Sequence, residues 1–181
     1  MKAFYGKRSV VYCFLWFAVK VKRAESTAIN RLANETYWLK ILQQYHIGPR
    51  LYFFGKHFLI LQRVRGERVL DFFTLASLEE KKFVVFEVLR QCRILDQLNV
   101  DKLEMHRPVK HILITKRKKV VMIDFERCKY AQKPKNVTQF IQFLPKLGIE
   151  FDKEKMRKRL QRYKNSYNGI EYGSILKLLN L

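Results

Sequence analysis

The amino-acid order predicts an α+β fold in two lobes, and three observations carry that reading. Runs of β-branched and aromatic residues crowd the chain up to residue 63. Helical periodicity dominates after it, interrupted by one hairpin pattern. Between them Gly66 breaks the chain in the short stretch 62–66, where a linker belongs. The expected division is a strand-rich N-terminal lobe over 1–63 and a reduced helical C-terminal lobe over 64–181 that ends in basic helices, the two forming one domain. A hydrophobic fraction of 48% can fill a core, and 7 Gly and 4 Pro without a repeat or low-complexity stretch fit short connections.

Each element follows from its residues. The first strand must be very short, because the chain begins so close to the turn at Gly6. Residues 10–14 and 17–21 read as strands joined tightly around Leu15 and Trp16. Residues 26–45 read as a helix, with Ile29, Leu32, Ala33, Tyr37 and 39–42 at helical spacing. Ser26 or Thr27 can cap it, and Gly48-Pro49 ends it. Strands follow at 50–54 and 57–63, turning at Gly55, then a short helix at 69–75. Residues 79–99 form a long helix whose apolar positions are Phe83, Val84, Phe86, Val88, Leu89, Leu95 and Leu98. After an irregular stretch, 111–115 and 120–123 make a hairpin around the basic turn 116–119, and helices resume from Asn136.

The charge balance narrows the function classes. With 37 Lys+Arg against 16 Asp+Glu, the net charge of +21 attracts polyanions: nucleotides, nucleic acid or acidic surfaces. The run 153–164 is a basic amphipathic helix, and Tyr163, Tyr167 and Tyr172 could stack on bases, although a solvated helix face explains the same charges. No signature of a base-reading domain accompanies it. Cys13, Cys92 and Cys128 form no CxxC pair, which argues against a structural zinc site or a disulfide framework and fits a reduced, cytoplasmic compartment. Lys2, Lys7 and Arg8 before the apolar run 10–19 mimic a signal peptide. However, Lys20-Val21-Lys22-Arg23 follows in place of a cleavage site, and the run is too short to span a bilayer.

Phosphoryl transfer needs a lysine on the phosphates, a carboxylate to hold it, a metal-holding carboxylate, a cover for the phosphates and a group that orients the nucleophile. Lys20, in Ala18-Val19-Lys20-Val21, is a strand lysine suited to the first task; taken alone it could equally face solvent. Glu35 lies one helix later. Asp124 follows an apolar strand in Ile123-Asp124-Phe125-Glu126, a good position for Mg²⁺ beside phosphates, or simply a turn cap.

These residues, in this order, resemble protein kinases. The set comprises Lys20, Glu35, the segment 47–52 (Ile-Gly-Pro-Arg-Leu-Tyr), the linker 62–67 (Gln-Arg-Val-Arg-Gly-Glu) and Asp124. The short spacing is similar to RIO kinases, to the small kinase of the KEOPS complex and to a related archaeal group of predicted serine/threonine kinases, over residues 4–145. The segments 107–111 and 136–140 add to the likeness. The resemblance implies an ATP- and Mg²⁺-dependent serine/threonine kinase or ATPase acting on a protein hydroxyl or on itself, with a link to tRNA modification or ribosome maturation. Lys20 would hold phosphate, Glu35 would hold Lys20, and the adenine would hang near Gln62 to Val64. Gly6 and Ser9 would belong to the phosphate cover, where kinases carry more glycines and this chain offers Lys7 and Arg8. In the catalytic loop Glu104 stands for the usual aspartate, with Asp101 and His106 as alternatives. His111 occupies the place of a metal-binding asparagine, as a metal ligand or as a hydrogen-bonded structural histidine. The other reading is a catalytically degenerate scaffold that binds RNA or a ribonucleoprotein through its basic surface.

Overall fold

The computed structural model describes residues 2–6, 8–23 and 31–181. The chain divides into two compact units, Met1–Glu67 with His111–Cys128, and Arg68–Lys110 with Lys129–Leu181.

The first unit is built on a five-stranded antiparallel sheet. Its strands are β1 (Lys2–Tyr5), β2 (Ser9–Cys13), β3 (Phe17–Lys22), β4 (Leu51–Phe54) and β5 (Phe58–Gln62), in the order β1-β2-β3-β5-β4. β2 and β3 join through a tight turn closed by Phe14 N–H donating to the Phe17 carbonyl at 2.9 Å. Helix α1 (Arg31–Leu42) covers one face, burying Leu32, Trp38, Leu39 and Leu42. The expected caps Ser26 and Thr27, and Ile29, lie outside the described residues. Beyond α1 the chain turns at Gly48, whose φ of +85° favours glycine. A Cβ there would stand 2.9 Å from the Phe125 ring and 3.0 Å from Leu39. After β6 (Gly66–Arg68), the hairpin of β8 (Ile112–Thr115) and β9 (Val120–Met122) closes the unit.

The second unit is helical. Helix α2 (Val69–Leu75) precedes α3 (Leu78–Gln97), which starts on a capping box: Glu80 N–H donates to Ser77 Oγ, and Ser77 N–H to the Glu80 carboxylate. Val84, Val88, Leu89 and Leu95 are buried as the pattern predicts. Phe83 and Phe86 are instead 49% and 40% exposed, because they lie off the buried stripe of α3. Short strands β7 (Val100–Asp101) and β10 (Lys129–Tyr130) pair, and α4 (Asn136–Phe143), α5 (Lys153–Ser166) and α6 (Gly169–Leu178) follow.

Asp96 is the polar centre of this unit. Its carboxylate accepts from the backbone N–H groups of Asn136 and Val137 at the start of α4, from Asn136 Nδ2 at 2.8 Å and from the Tyr163 hydroxyl at 3.0 Å. Asn136 in turn donates to the Val100 carbonyl and accepts from Lys102 N–H. The expectation that Tyr163, Tyr167 and Tyr172 stack on bases is corrected. Tyr163 and Tyr172 are buried, Arg93 lies over the Tyr172 ring, and the Tyr167 hydroxyl donates to the Pro134 carbonyl. The three cysteines are buried and unbridged. Among the described residues no helix is long and apolar enough to cross a membrane.

Candidate functional site

The pairing register of the first sheet decides which way Lys20 faces. Lys20 lies opposite Val11 on one side and Leu59 on the other, so it shares a face with Ala18 and Leu61, both buried. That face is the core face, and Lys20 is only 6% exposed. Its ammonium meets three carboxylates: Glu35 Oε2 at 2.6 Å, Asp124 Oδ1 at 3.1 Å and Glu126 Oε2 at 3.4 Å.

Helix α1 presents Arg31, Asn34, Glu35 and Trp38 along one stripe, at the i, i+3, i+4, i+7 spacing that makes helix neighbours. All four hold the segment that follows β9. Arg31 pairs with Glu126 Oε1 at 3.0 Å. Asn34 Nδ2 donates to the carbonyls of Glu126 and Cys128 at 3.0 and 2.9 Å, and Trp38 Nε1 donates to Cys128 at 2.9 Å. Glu35 Oε1 accepts from Phe125 N–H at 3.3 Å. Phe125 is fully buried in the space that Gly48 leaves for it. Asp124 itself is held at φ +64°, a left-handed conformation unusual for a residue with a side chain and common at functional sites.

The electrostatics follow from that packing. Burial works against the Lys20 charge, but the attraction of Glu35, Asp124 and Glu126 outweighs it and holds the ammonium well above the ordinary lysine range. Burial pushes the Glu35 carboxyl up, opposed by the Lys20 charge and the Phe125 N–H. Lys20 and Arg31 face Glu35, Asp124 and Glu126, which leaves an excess of negative charge. The oxygens of Glu35, Asp124 and Glu126 lie within 4.8 Å of one another, an all-oxygen donor set that fits a hard cation such as Mg²⁺. His111 Nδ1 stands 3.7 Å from Asp124 Oδ2.

Other expected positions are more peripheral. Gly6 closes the β1–β2 turn, its N–H donating to the Ser9 carbonyl at 2.9 Å; Lys7 lies outside the described residues. Ser9 opens β2 on the same face as Val11 and Lys20. Gln62 N–H donates to Arg50 and Arg63 N–H to Trp16, so of the three residues named for the adenine, Val64 has the backbone N–H outside that pairing. Glu104 belongs to the second unit, half-buried in the turns 102–107, and Asp101 sits in β7. The sequence reading missed Arg31, Asn34 and Trp38 as parts of the site. It gave Glu126 no role, although the Asp-x-Glu spacing offered a second carboxylate beside the first.

No protein-family model and no curated protein sequence matches the chain. Among solved structures it is similar to WbdD in complex with a kinase inhibitor, at a TM-score of 0.71 and 15% identity over 97% of this chain and 44% of that one. A second structure of WbdD, described as a bifunctional kinase-methyltransferase, matches at 0.71 and 14% over 96% and 42%. The fold is kinase-like. The antiparallel sheet of the N-terminal region and the helices of the C-terminal region follow that kinase-like pattern. The chain spans less than half the length of these structures, and at such identity the likeness concerns fold alone.

Proposed function

We propose that this chain binds ATP with Mg²⁺ and transfers a phosphoryl group to a hydroxyl acceptor. The observation that carries the reading is the buried Lys20 ammonium ringed by Glu35, Asp124 and Glu126. A buried charge cluster of this kind is costly to assemble for stability alone, and one with an excess of carboxylates suits a polyphosphate only together with a cation. Asp124, assisted by Glu126, would hold the metal. Lys20 would hold phosphate oxygens, staying protonated at every physiological pH. Glu35 would fix Lys20, and the Val64 N–H would meet the adenine. Bound ATP would supply the phosphoryl group, and Mg²⁺ would offset its charge. His111 would orient Asp124 rather than ligate Mg²⁺, since imidazole suits softer metals. The role of Glu104 in orienting the acceptor hydroxyl rests on its place in the sequence, as does the narrower kinship with RIO and KEOPS-type kinases.

The test is ATP binding and turnover by the full chain, with and without Mg²⁺. Lys20→Ala and Asp124→Asn should each lower turnover at least about 100-fold, and ATP should bind weakly when the metal is chelated. Turnover unchanged in both variants would remove the reading.

A further inference from the structure

We propose that the second unit carries a separate seat for single-stranded nucleic acid, in the cleft lined by α4 and α5. Helix α4 packs on α3, and α5 packs on α6. Between α4 and α5 an open cleft of about 830 Å³ remains. A stripe from each side lines it: Thr138, Ile141 and Gln142 of α4, with Pro145 just beyond its end, follow i, i+3, i+4, i+7, and α5 repeats that spacing from Lys153 to Lys164.

The chemistry of the lining selects the ligand. Lys133, Lys153, Arg157 and Lys164 stand on it, and among the described residues no aspartate or glutamate does. From Lys153 to Lys164 the α5 cations are eleven residue steps apart, about 16 Å at 1.5 Å per residue. That distance suits a chain of phosphates better than a single one. Ile141, Met156 and Leu160 are buried and give the cleft an apolar floor, and Phe151 adds a half-buried ring at its edge. Gln142, Gln161 and Asn165 are exposed amides that can pair with base edges. Thr138 adds a half-buried side chain to the lining. Cations for the backbone beside a ring and apolar floor for the bases is the arrangement that holds single strands without strong sequence preference. A purely inorganic polyanion would use the cations and leave the floor and the ring idle.

The experiment measures binding of a labelled single-stranded RNA of about ten nucleotides to the full chain across a salt series. Inorganic polyphosphate serves as the contrasting probe. Lys153→Ala, Arg157→Ala and Lys164→Ala combined should weaken RNA binding at least tenfold and flatten the salt slope by about two, at about 0.7 per phosphate contact. The triple variant Lys155→Ala, Lys158→Ala, Arg162→Ala removes the same charge from the rest of α5 and should cost less than threefold. Phe151→Ala should weaken RNA and leave polyphosphate unchanged. Should the first triple variant fail to fold by circular dichroism, Arg157→Glu alone carries the comparison. Equal losses in the two triple variants would reduce the effect to net charge and overturn the proposal. So would absence of RNA binding, or polyphosphate binding as tightly as RNA with Phe151→Ala affecting neither. ATP binding is measured alongside and should not change, which separates this seat from the site around Lys20.

Discussion

Lys20 and Glu35 are 6% and 2% exposed and 2.6 Å apart, so removing Lys20 leaves the Glu35 charge stranded in a dry place. Lys20→Met is therefore expected to lower unfolding free energy by about 3–5 kcal/mol, read from urea denaturation. Glu35→Gln in the same chain should restore most of that loss, because the amide still accepts from Phe125 N–H while the buried charge is gone. Turnover should stay lost in the double variant. Recovery of turnover together with stability would show that Lys20 serves folding and not phosphate. Gly48→Ala tests the support behind this group. The added Cβ meets the Phe125 ring and Leu39 at a backbone angle that L side chains rarely adopt, so a loss of about 1–3 kcal/mol and weaker ATP binding are expected. Sequence motifs alone named Lys20, Glu35 and Asp124, because strand, helix and post-strand carboxylate each left a local pattern. Arg31, Asn34 and Trp38 left none. Their partners lie 90 or more residues away, two of them backbone carbonyls that any residue could supply.

At the scale of elements, the joint between α3 and α4 depends on one carboxylate. Asp96 accepts the first N–H groups of α4, which a helix cannot satisfy from within. Burial pushes its pKa from 3.8 up to about 6, against the pull of the Asn136, Val137 and Tyr163 donors. A carboxyl with a raised folded value favours folding most while protonated. Its contribution is complete below pH 3.8 and is lost as pH rises through about 6. That amounts to about 3 kcal/mol over the window. Unfolding free energy measured by urea from pH 4 to 7 should show this fall, and Asp96→Asn should abolish it. An unchanged slope in the variant would assign the titration elsewhere. Asp96 did not stand out in the sequence, since a polar residue in a helix reads as solvent-facing until its partner 40 residues on is known. The long elements were legible for the opposite reason. α3 follows its apolar spacing, and the strands β2 to β5 their branched and aromatic runs. β6, β7 and β10 span two or three residues, too few to show any period, and form only because a partner strand is in place.

At the scale of the whole molecule, the dominant quantity is the net charge of +21. Its effect on stability should oppose that of a chain held together by surface ion pairs. The pairs Lys155–Asp152 and Lys158–Glu154 are exposed, and such pairs contribute about 0–1 kcal/mol each. The pair Lys20–Glu35 is shielded from mobile ions by burial. What salt chiefly screens is therefore the mutual repulsion of cations brought together by folding. Raising sodium chloride from about 0.05 to 0.5 M shortens the screening length from over 10 Å to under 5 Å. The unfolding temperature should rise by several degrees as it does so. Phosphate or sulfate at equal ionic strength should raise it further, by also occupying cationic clusters such as the one along α5. A falling unfolding temperature would mean that attraction, not repulsion, dominates the surface. In that case the excess of lysine and arginine could not be read as a surface left open for polyanions.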